Sequence, residues 1–150
     1  MRAVVQRVKE ASVEVDGKIT GEIGKGLLIL FGAEEGDGKE DMDYVVKKCV
    51  NLRIFSDEQD KMNLSVNDVD GEILAVSQFT LLAEIKHGNR PGFTRAMKPC
   101  EAEDMYEEFC TRCEEATGKA TKKGIFGADM KVSLVNDGPV TIIVDSRNKI

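Results

Sequence analysis

Three polar side chains interrupt an apolar stretch in the second half of the chain. Ser77, Gln78 and Thr80 follow the run Ile73–Val76 and are themselves followed by two leucines. Polar groups in such a segment cost stability unless they find hydrogen-bond partners. One interpretation is therefore a satisfied edge of the core. The other is a site in which main-chain N–H groups and the Gln78 amide face a reacting carbonyl oxygen.

The dipeptide Gly138-Pro139 is the second unusual feature. A proline between two predicted strands removes a donor from the sheet, and the bond before it is of the kind that can be cis. One interpretation is an ordinary turn over residues 136–139. The other is a rigid bend whose carbonyl groups face a cation such as an ammonium group.

Nucleophilic catalysis with a histidine base has little support. His87 is the single histidine, and it lies in the glycine-containing segment Lys86–Asn89. A serine or cysteine nucleophile needs such a base, and here no second group is placed to orient the imidazole. We expect His87 to face solvent or RNA.

The cysteines do not predict a metal site. Cys110 and Cys113 have the spacing of metal ligands, but both fall on the apolar stripe of a predicted helix, and no second ligand pair completes a tetrahedral site. Because an intracellular chain keeps its thiols reduced, the same pair is expected to pack in the core rather than to form a disulfide.

Composition places these residues in one globular domain. The chain has 150 residues, of which 41% are hydrophobic and 32% are charged, so one domain over residues 1–150 is expected. The longest apolar run, Leu27–Phe31, is far below the roughly 20 residues that cross a bilayer. The first residues lack the features of a secretion signal, so we expect a cytoplasmic protein. The net charge of −6 restricts any RNA contact to a local basic patch.

Hydrophobic periodicity predicts two helices and about seven strands. The helices cover Met42–Leu52 and a segment from Ala102 to a stop at Gly118, and a further short strand is an option at Leu52–Phe55. The strands are predicted at Ala3–Val8, Ser12–Val15, Lys18–Ile23, Gly26–Gly32, Glu72–Leu82, Met130–Val135 and Val140–Val144.

These elements predict an α+β fold. A largely antiparallel sheet curls into a barrel-like shape around or against the two main helices. Gly26–Gly32 is an apolar run bounded by glycines, which favours a strand at the centre of the sheet. The long polar segment Lys86–Pro99 is expected to be a functional loop.

Four ordered motifs identify a resemblance. The chain resembles the D-aminoacyl-tRNA deacylases over essentially its whole length, including its opening MRAVVQRV and the segment Lys61–Leu64. The motifs are Ser77-Gln-Phe-Thr-Leu81, Gly88-Asn-Arg-Pro-Gly-Phe-Thr94, Gly124-Ile-Phe-Gly-Ala-Asp-Met130 and Asn136-Asp-Gly-Pro-Val-Thr141.

The resemblance implies an activity. The expected protein is a homodimeric cytoplasmic hydrolase that cleaves the ester between a D-amino acid and the acceptor end of tRNA, and that also acts on glycine mischarged on tRNA(Ala). Its site is expected at the dimer interface, without metal, cofactor or membrane. The peptide Gly138-Pro139 would be cis and would enter the partner subunit's pocket, where it excludes L-amino acids.

The resemblance also implies site residues. The reacting ester would lie beside Ser77–Thr80, with main-chain N–H groups around Phe79 stabilising the oxyanion and with Gln78 and Thr80 shaping that hole. Thr80 as a covalent nucleophile is the less favoured assignment, since it needs a base; the terminal ribose 2′-hydroxyl is expected to help activate water. Arg7 is expected to brace Gly138-Pro139. The substrate-binding set is Gly138, Pro139, Phe126, Ala128, Met130, Asn89, Pro91 and Phe93.

Charge and one departure from the family pattern complete the expectations. Gly92 stands where a serine is common in the family, which removes a hydroxyl contact from this loop.

Two basic clusters are expected to contact tRNA. The first consists of Lys86, Arg90, Arg95 and Lys98, and the second consists of Lys119, Lys122 and Lys123. Two rival interpretations are a nucleic-acid-binding module without catalysis and a related deacylase with a trans Gly138-Pro139 peptide and relaxed chirality.

Overall fold

Eight strands, two helices and one short 3₁₀ turn make up the fold. The computed structural model describes residues 1–150. The strands and helices, in chain order, are β1 (Arg2–Val15), β2 (Lys18–Ile23), β3 (Gly26–Gly32), α1 (Lys39–Asn51), β4 (Phe55–Ser56), β5 (Met62–Leu64), β6 (Glu72–Ser77), α2 (Pro99–Thr117), β7 (Lys122–Lys123) and β8 (Lys131–Asp145).

The main sheet is mixed, curled and nearly closed. Strand β1 organises it, since its first half pairs with β3, its second half pairs with β2, and β8 pairs with it along most of its length. These pairs are antiparallel, whereas β3–β6 and β6–β7 are parallel. The two end strands approach each other, with Thr20 Oγ1 lying 3.4 Å from the carbonyl oxygen of Lys123. The predicted α+β fold with a curled sheet and two main helices is confirmed.

Strand β3 is buried on both faces, as predicted from its unbroken apolar sequence. Leu27, Ile29 and Phe31 belong to the larger core cluster, which includes residues of both helices. Leu28 belongs to a second cluster inside the curl of the sheet. The Phe31 ring stacks on Phe109 of α2 with centroids 4.6 Å apart, which fixes this helix over the carboxyl end of β3.

Local signals specify where helices end and one hairpin turns. Helix α2 ends at Gly118, whose φ of +70° is the left-handed conformation typical of a glycine stop. The turn between β1 and β2 places Asp16 and Gly17 at φ values of +51° and +77°, as an Asp-Gly hairpin requires. The predicted helices and this hairpin are therefore confirmed.

The strand predicted over Glu72–Leu82 is wrong beyond Ser77. The Gln78 N–H donates to the Phe31 carbonyl at 2.7 Å, and the Leu81 N–H then donates back to Gln78, which closes a 3₁₀ turn over Phe79–Leu82. Gly32 makes room for this turn, because a Cβ there would lie 2.9 Å from the Gln78 carbonyl oxygen. Tertiary contacts with β3 thus override the continuous apolar pattern.

The predicted hairpin over residues 130–144 is also wrong. Strand β8 is continuous, and both its halves pair with β1. Asn136 lies opposite Val8 and Thr141 lies opposite Gln6, so four residues, 137–140, bulge opposite a single one. The Asn136 side chain stabilises the bulge by accepting the Val140 N–H at 2.9 Å. The turn predicted over residues 136–139 is therefore a bulge of residues 137–140 within one strand and does not reverse the chain.

Smaller differences concern short pairings. The segments predicted at Ala3–Val8 and Ser12–Val15 are one strand, and only Phe55 of the optional strand at Leu52–Phe55 is extended in a ladder. The two- and three-residue strands β5 and β7 were not predicted, because so few residues show no periodicity. Neither α1 nor α2 combines the length and the apolar character that a membrane-spanning helix requires.

Candidate active site

A pocket lies where the parallel strands β3 and β6 end. Its volume is about 620 Å³. Because carboxyl ends of parallel strands meet at one edge of a sheet, residues of both strands reach it. The lining is mostly apolar and consists of Phe31, Gly32, Ala33, Val76, Ser77, Gln78, Phe79, Phe93, Ala96, Met97, Lys98, Pro99, Ala102, Phe126, Gly127, Ala128, Asp129, Met130 and Val132.

The 3₁₀ turn after β6 brings polar groups to this pocket. Ser77, Gln78 and Phe79 line it directly. Thr80 does not, but its hydroxyl accepts a hydrogen bond of 2.5 Å from the Gln78 amide. The N–H groups of Phe79 and Thr80 come before that of Leu81, the first donor within the turn, so neither has a partner within it. This arrangement can present backbone donors to a negatively charged oxygen.

An aromatic pair forms one wall of the pocket. The Phe79 and Phe93 rings meet edge to face with centroids 5.0 Å apart, and Phe79 is 53% exposed at the mouth. The Phe93 segment is attached to β3, because the Met97 N–H donates to the Ala33 carbonyl at 3.0 Å. From the same loop, Asn89 and Pro91 are exposed and do not line the pocket.

The opposite wall is the segment between β7 and β8. Phe126, Ala128 and Met130 of the predicted substrate-binding set all line the pocket. The Phe126 ring packs against buried Tyr106 with centroids 6.2 Å apart. The start of the turn after β6, Phe93 and this segment therefore share one cavity.

Gly138 and Pro139 do not line the pocket of their own chain. Both are exposed on the β8 bulge, and the peptide between them is cis, as the resemblance implied and unlike the trans alternative. Arg7 lies opposite the bulge and donates through Nε to the Asp137 carbonyl at 2.8 Å and through Nη1 to the Ile54 carbonyl at 2.6 Å. Arg7 therefore contacts the segment that it was expected to brace.

Side-chain bases are scarce around the pocket. His87 is exposed on its loop and is not a lining residue. Cys110 and Cys113 are buried in the core, as predicted, and burial raises the pKa of the Cys110 thiol to about 12. No group of three His, Cys, Asp or Glu side chains is arranged to hold a metal ion. The ionisable side chains that line the pocket are Lys98 and Asp129, and Asp129 pairs with Lys131 at 3.0 Å. The other polar groups of this site are backbone donors, an amide and hydroxyl groups.

The basic clusters differ in how far acidic neighbours neutralise them. Lys119 and Lys123 form ion pairs of 2.8 Å with Asp70 and Glu107, and Arg95 forms one of 2.8 Å with Glu34. Unpaired cations of the two clusters are Lys86, Arg90, Lys98 and Lys122. Three of these four belong to the Lys86–Pro99 loop, and Lys98 lines the pocket.

Sequence reasoning missed several lining residues. Ala33, Met97 and Ala102 are small or apolar and carry no chemical signal of their own. The available signal was indirect: Gly32 ends a buried strand, and strands that end beside each other form ligand sites when they run parallel. The direction of pairing between β3 and β6 was not predicted, so this signal was not used.

Comparisons with known proteins agree with the geometry. A family model described as D-Tyr-tRNA(Tyr) deacylase matches residues 4–145. The D-aminoacyl-tRNA deacylases of Flavobacterium psychrophilum and Bacteroides thetaiotaomicron are each 56% identical to the chain over 149 residues, 99% of either sequence.

Two solved structures share the fold. The c-Myc DNA unwinding element binding protein superposes with a TM-score of 0.92 at 43% identity, covering 97% of this chain and 98% of that one. A probable eukaryotic D-amino acid tRNA deacylase superposes with a TM-score of 0.80 over 96% of this chain and 98% of that one. At 18% identity, the second likeness concerns the fold alone.

Proposed function

The chain belongs to the D-Tyr-tRNA(Tyr) deacylase family and is a hydrolase of aminoacyl-tRNA; from this premise we propose how it selects and cleaves its substrates. The substrates are D-aminoacyl-tRNAs and glycine mischarged on tRNA(Ala). The products are the free amino acid and tRNA. The observation that carries the proposal is the pocket that brings the Ser77–Phe79 backbone and the Phe126–Met130 wall together.

The reaction is an ester hydrolysis driven by positioning. Water attacks the ester carbonyl, and the carbonyl oxygen takes the negative charge in the tetrahedral intermediate. The Phe79 N–H and its neighbour stabilise that oxyanion, while Gln78, held by Thr80, orients the ester or the water. The intermediate then collapses, the ribose oxygen leaves with a proton, and a carboxylate forms. The terminal ribose 2′-hydroxyl assists the attacking water, since no histidine lines the pocket and the one lining carboxylate, Asp129, pairs with Lys131 at 3.0 Å.

Chiral selection comes from a second copy of the chain. Gly138 and Pro139 are exposed outside their own pocket, so we assign them to the pocket of the partner subunit in a homodimer. Their backbone occupies the space that an L side chain would need, which rejects L-aminoacyl esters by steric exclusion. A glycyl ester has no side chain to collide and is accepted.

The surface of β8 supports the homodimer. This strand of 15 residues pairs with β1 only, and it exposes Leu134, Val135 and Ile143. A long unpaired edge with apolar side chains is prone to aggregation unless another surface covers it. In the proposed dimer, a second copy of the same strand covers this edge. Each chain contributes one catalytic domain, and the dimer acts in the cytoplasm.

The first experiment compares D-tyrosyl-tRNA, L-tyrosyl-tRNA and glycyl-tRNA(Ala) as substrates. We expect the D- and glycyl esters to be hydrolysed and the L-ester to be spared. In Gly138→Ala, an added Cβ lies 2.9 Å from Arg7 Nη2 and from Val140 Cγ2 at a φ of +137°, so the bulge must shift and discrimination must fall at least tenfold. Gly17→Ala is the control, because its φ is also positive and no atom lies within 4 Å of the new Cβ.

The outcomes separate the rival interpretations. Hydrolysis of L-tyrosyl-tRNA at a rate near that of the D-ester would contradict chiral selection. Binding of nucleic acid without hydrolysis of any ester would favour the non-catalytic nucleic-acid-binding module. The name of the 43% identical structure, which refers to binding of a DNA element, is consistent with that alternative.

A further inference from the structure

Arg2 links the pocket turn to the far end of the sheet. It lies opposite Gly32 of β3 on one side and Asp145 of β8 on the other. Its Nη1 donates to the Leu81 carbonyl at 2.8 Å, and its Nε donates to Asp145 Oδ2 at 2.8 Å. One guanidinium therefore joins the 3₁₀ turn that begins at Phe79 to the last residue of β8.

The carboxylate partner of Arg2, Asp145, is fixed by several hydrogen bonds. The Asp145 side chain is only 10% exposed, and its Oδ1 accepts the N–H groups of Arg147 and Asn148 at 2.9 and 3.0 Å. Burial opposes ionisation of Asp145, but the Asn148 N–H, the Arg2 guanidinium and the Arg147 N–H outweigh it and keep the pKa below its ordinary value. Asp145 is a rigid, charged anchor at neutral pH.

The turn itself has few other attachments at its carboxyl end. The Gln78 N–H fixes its start on Phe31, and Leu82 is buried, but its internal hydrogen bonds of 3.2 and 3.1 Å end at Leu81 and Ala83. Phe79 and Thr80 between them are exposed. Arg2 is thus the side chain that restrains the Leu81 peptide from outside the turn.

We propose that the Arg2–Asp145 pair is a positioning element for the hydrolysis. It sets the orientation of the turn whose Phe79 and Thr80 N–H groups face the reacting carbonyl, without touching the substrate. This role rests on the proposed oxyanion function of the same turn. A displacement of a reacting group by about 1 Å can cost about 100-fold in rate, so loss of the pair should lower the rate rather than the affinity.

The test compares Arg2→Gln with Arg112→Gln in the full-length protein. Arg112 is a matched control: its side chain is 25% exposed against 31% for Arg2, and it pairs with Asp43 and Glu108 away from the pocket. In single-turnover hydrolysis of D-tyrosyl-tRNA, we expect Arg2→Gln to lower the saturating rate 10- to 100-fold. The enzyme concentration at half saturation should change less than twofold, and Arg112→Gln should match the wild type.

Two further variants test the pair as a unit. Asp145→Asn combined with Arg2→Gln should be no slower than Arg2→Gln alone, because coupled residues are not additive. Arg2→Lys should recover part of the rate, since an ammonium can reach one partner but lacks the planar fork that meets both. Additive losses, or a change confined to half saturation, would overturn the proposal.

A measurement without substrate separates this proposal from the proposed function. Amide hydrogen exchange at Leu81 and Ala83 should accelerate at least tenfold in Arg2→Gln and stay unchanged in Arg112→Gln. Unchanged exchange at both amides would reject the positioning role even if the enzyme is active. Faster exchange in a protein that hydrolyses no D-aminoacyl ester would leave the positioning of the turn intact and would reject the deacylase chemistry.

Discussion

At the level of single residues, the hydrogen bond between Thr80 and Gln78 bears on the role of Thr80 in the reaction. Its hydroxyl accepts the Gln78 amide hydrogen at 2.5 Å, and the only histidine lies elsewhere, exposed on a loop. A covalent threonine nucleophile needs a base to remove its proton. The geometry therefore favours an orienting role for Thr80.

We predict that Thr80→Val lowers the saturating deacylation rate about five- to tenfold, because one side-chain hydrogen bond contributes about 1 kcal/mol. Steady-state hydrolysis of D-tyrosyl-tRNA measures this loss, and Thr111→Val on the exposed face of α2 is the control. A loss of more than about 1000-fold would instead indicate the covalent role.

The cysteines allow an independent residue-level prediction. Burial raises the pKa of Cys49 and Cys110 to about 12 and that of Cys113 further, whereas Cys100 is exposed. Because the thiolate is the reactive form, a disulfide reagent at pH 8 should titrate one thiol in the native protein and four in denaturant. Rapid reaction of a second native thiol would contradict the buried placement of the other three.

At the level of elements, the seam between β2 and β7 closes the curl of the sheet. An added Cβ on Gly21 would lie 2.6 Å from the Lys123 carbonyl oxygen and 3.0 Å from the Lys123 nitrogen. Backbone atoms cannot move aside as a flexible side chain does, so the seam must open to admit a methyl group. The strand β7 leads directly into the Phe126 wall of the pocket.

Gly21→Ala should therefore lower the free energy of unfolding by about 1–3 kcal/mol. Gly24→Ala, just after the end of β2, is the matched control, because no atom lies within 4 Å of its added Cβ. Urea denaturation of both variants measures the difference. Equal stability of the two would show that the seam is not closely packed in solution.

At the level of the whole molecule, the exposed side of β8 predicts assembly. Ile143 is 56% exposed on this strand, and Ile19 is 54% exposed on β2. We expect Ile143→Lys or Val135→Lys to shift the protein from dimer to monomer in sedimentation and to abolish deacylation, since the pocket then lacks the partner's backbone. Ile19→Lys should remain dimeric and active. A wild-type protein that sediments as an active monomer would refute the shared site.

The net charge of −6 makes the location of tRNA contacts a further whole-molecule property. Replacing Lys86, Arg90 and Lys98 by Gln should reduce the slope of log affinity against log salt by about 2–3, because each phosphate contact contributes about 0.7–0.9. Replacing Lys9, Lys47 and Lys61, which are also exposed and unpaired, should leave the slope unchanged. Equal effects of the two triple variants would exclude a contact surface confined to the loop.

The elements whose signals are local could be predicted from the amino-acid sequence. The Asp16-Gly17 turn, the Gly118 stop and the apolar strand Gly26–Gly32 each depend on residues close in the chain, and each is present. The four motifs also identified the family and predicted Ser77, Gln78, Phe79, Phe93, Phe126, Ala128 and Met130 as site residues, whereas the fold brings these residues to one pocket. The motifs were sufficient for this identification because a motif is defined only by residue types and their order along the chain.

The way in which distant segments meet depends on tertiary contacts. The strand after Glu72 ends at Ser77 because the Gln78 N–H bonds to Phe31, 47 positions earlier in the chain. Residues 131–145 form one strand because β1 offers a partner along its whole length, with Arg7 opposite the bulge. Such contacts depend on pairing direction and register, which a periodic pattern leaves open. For the same reason the sequence did not reveal that Arg2 spans the pocket turn and Asp145.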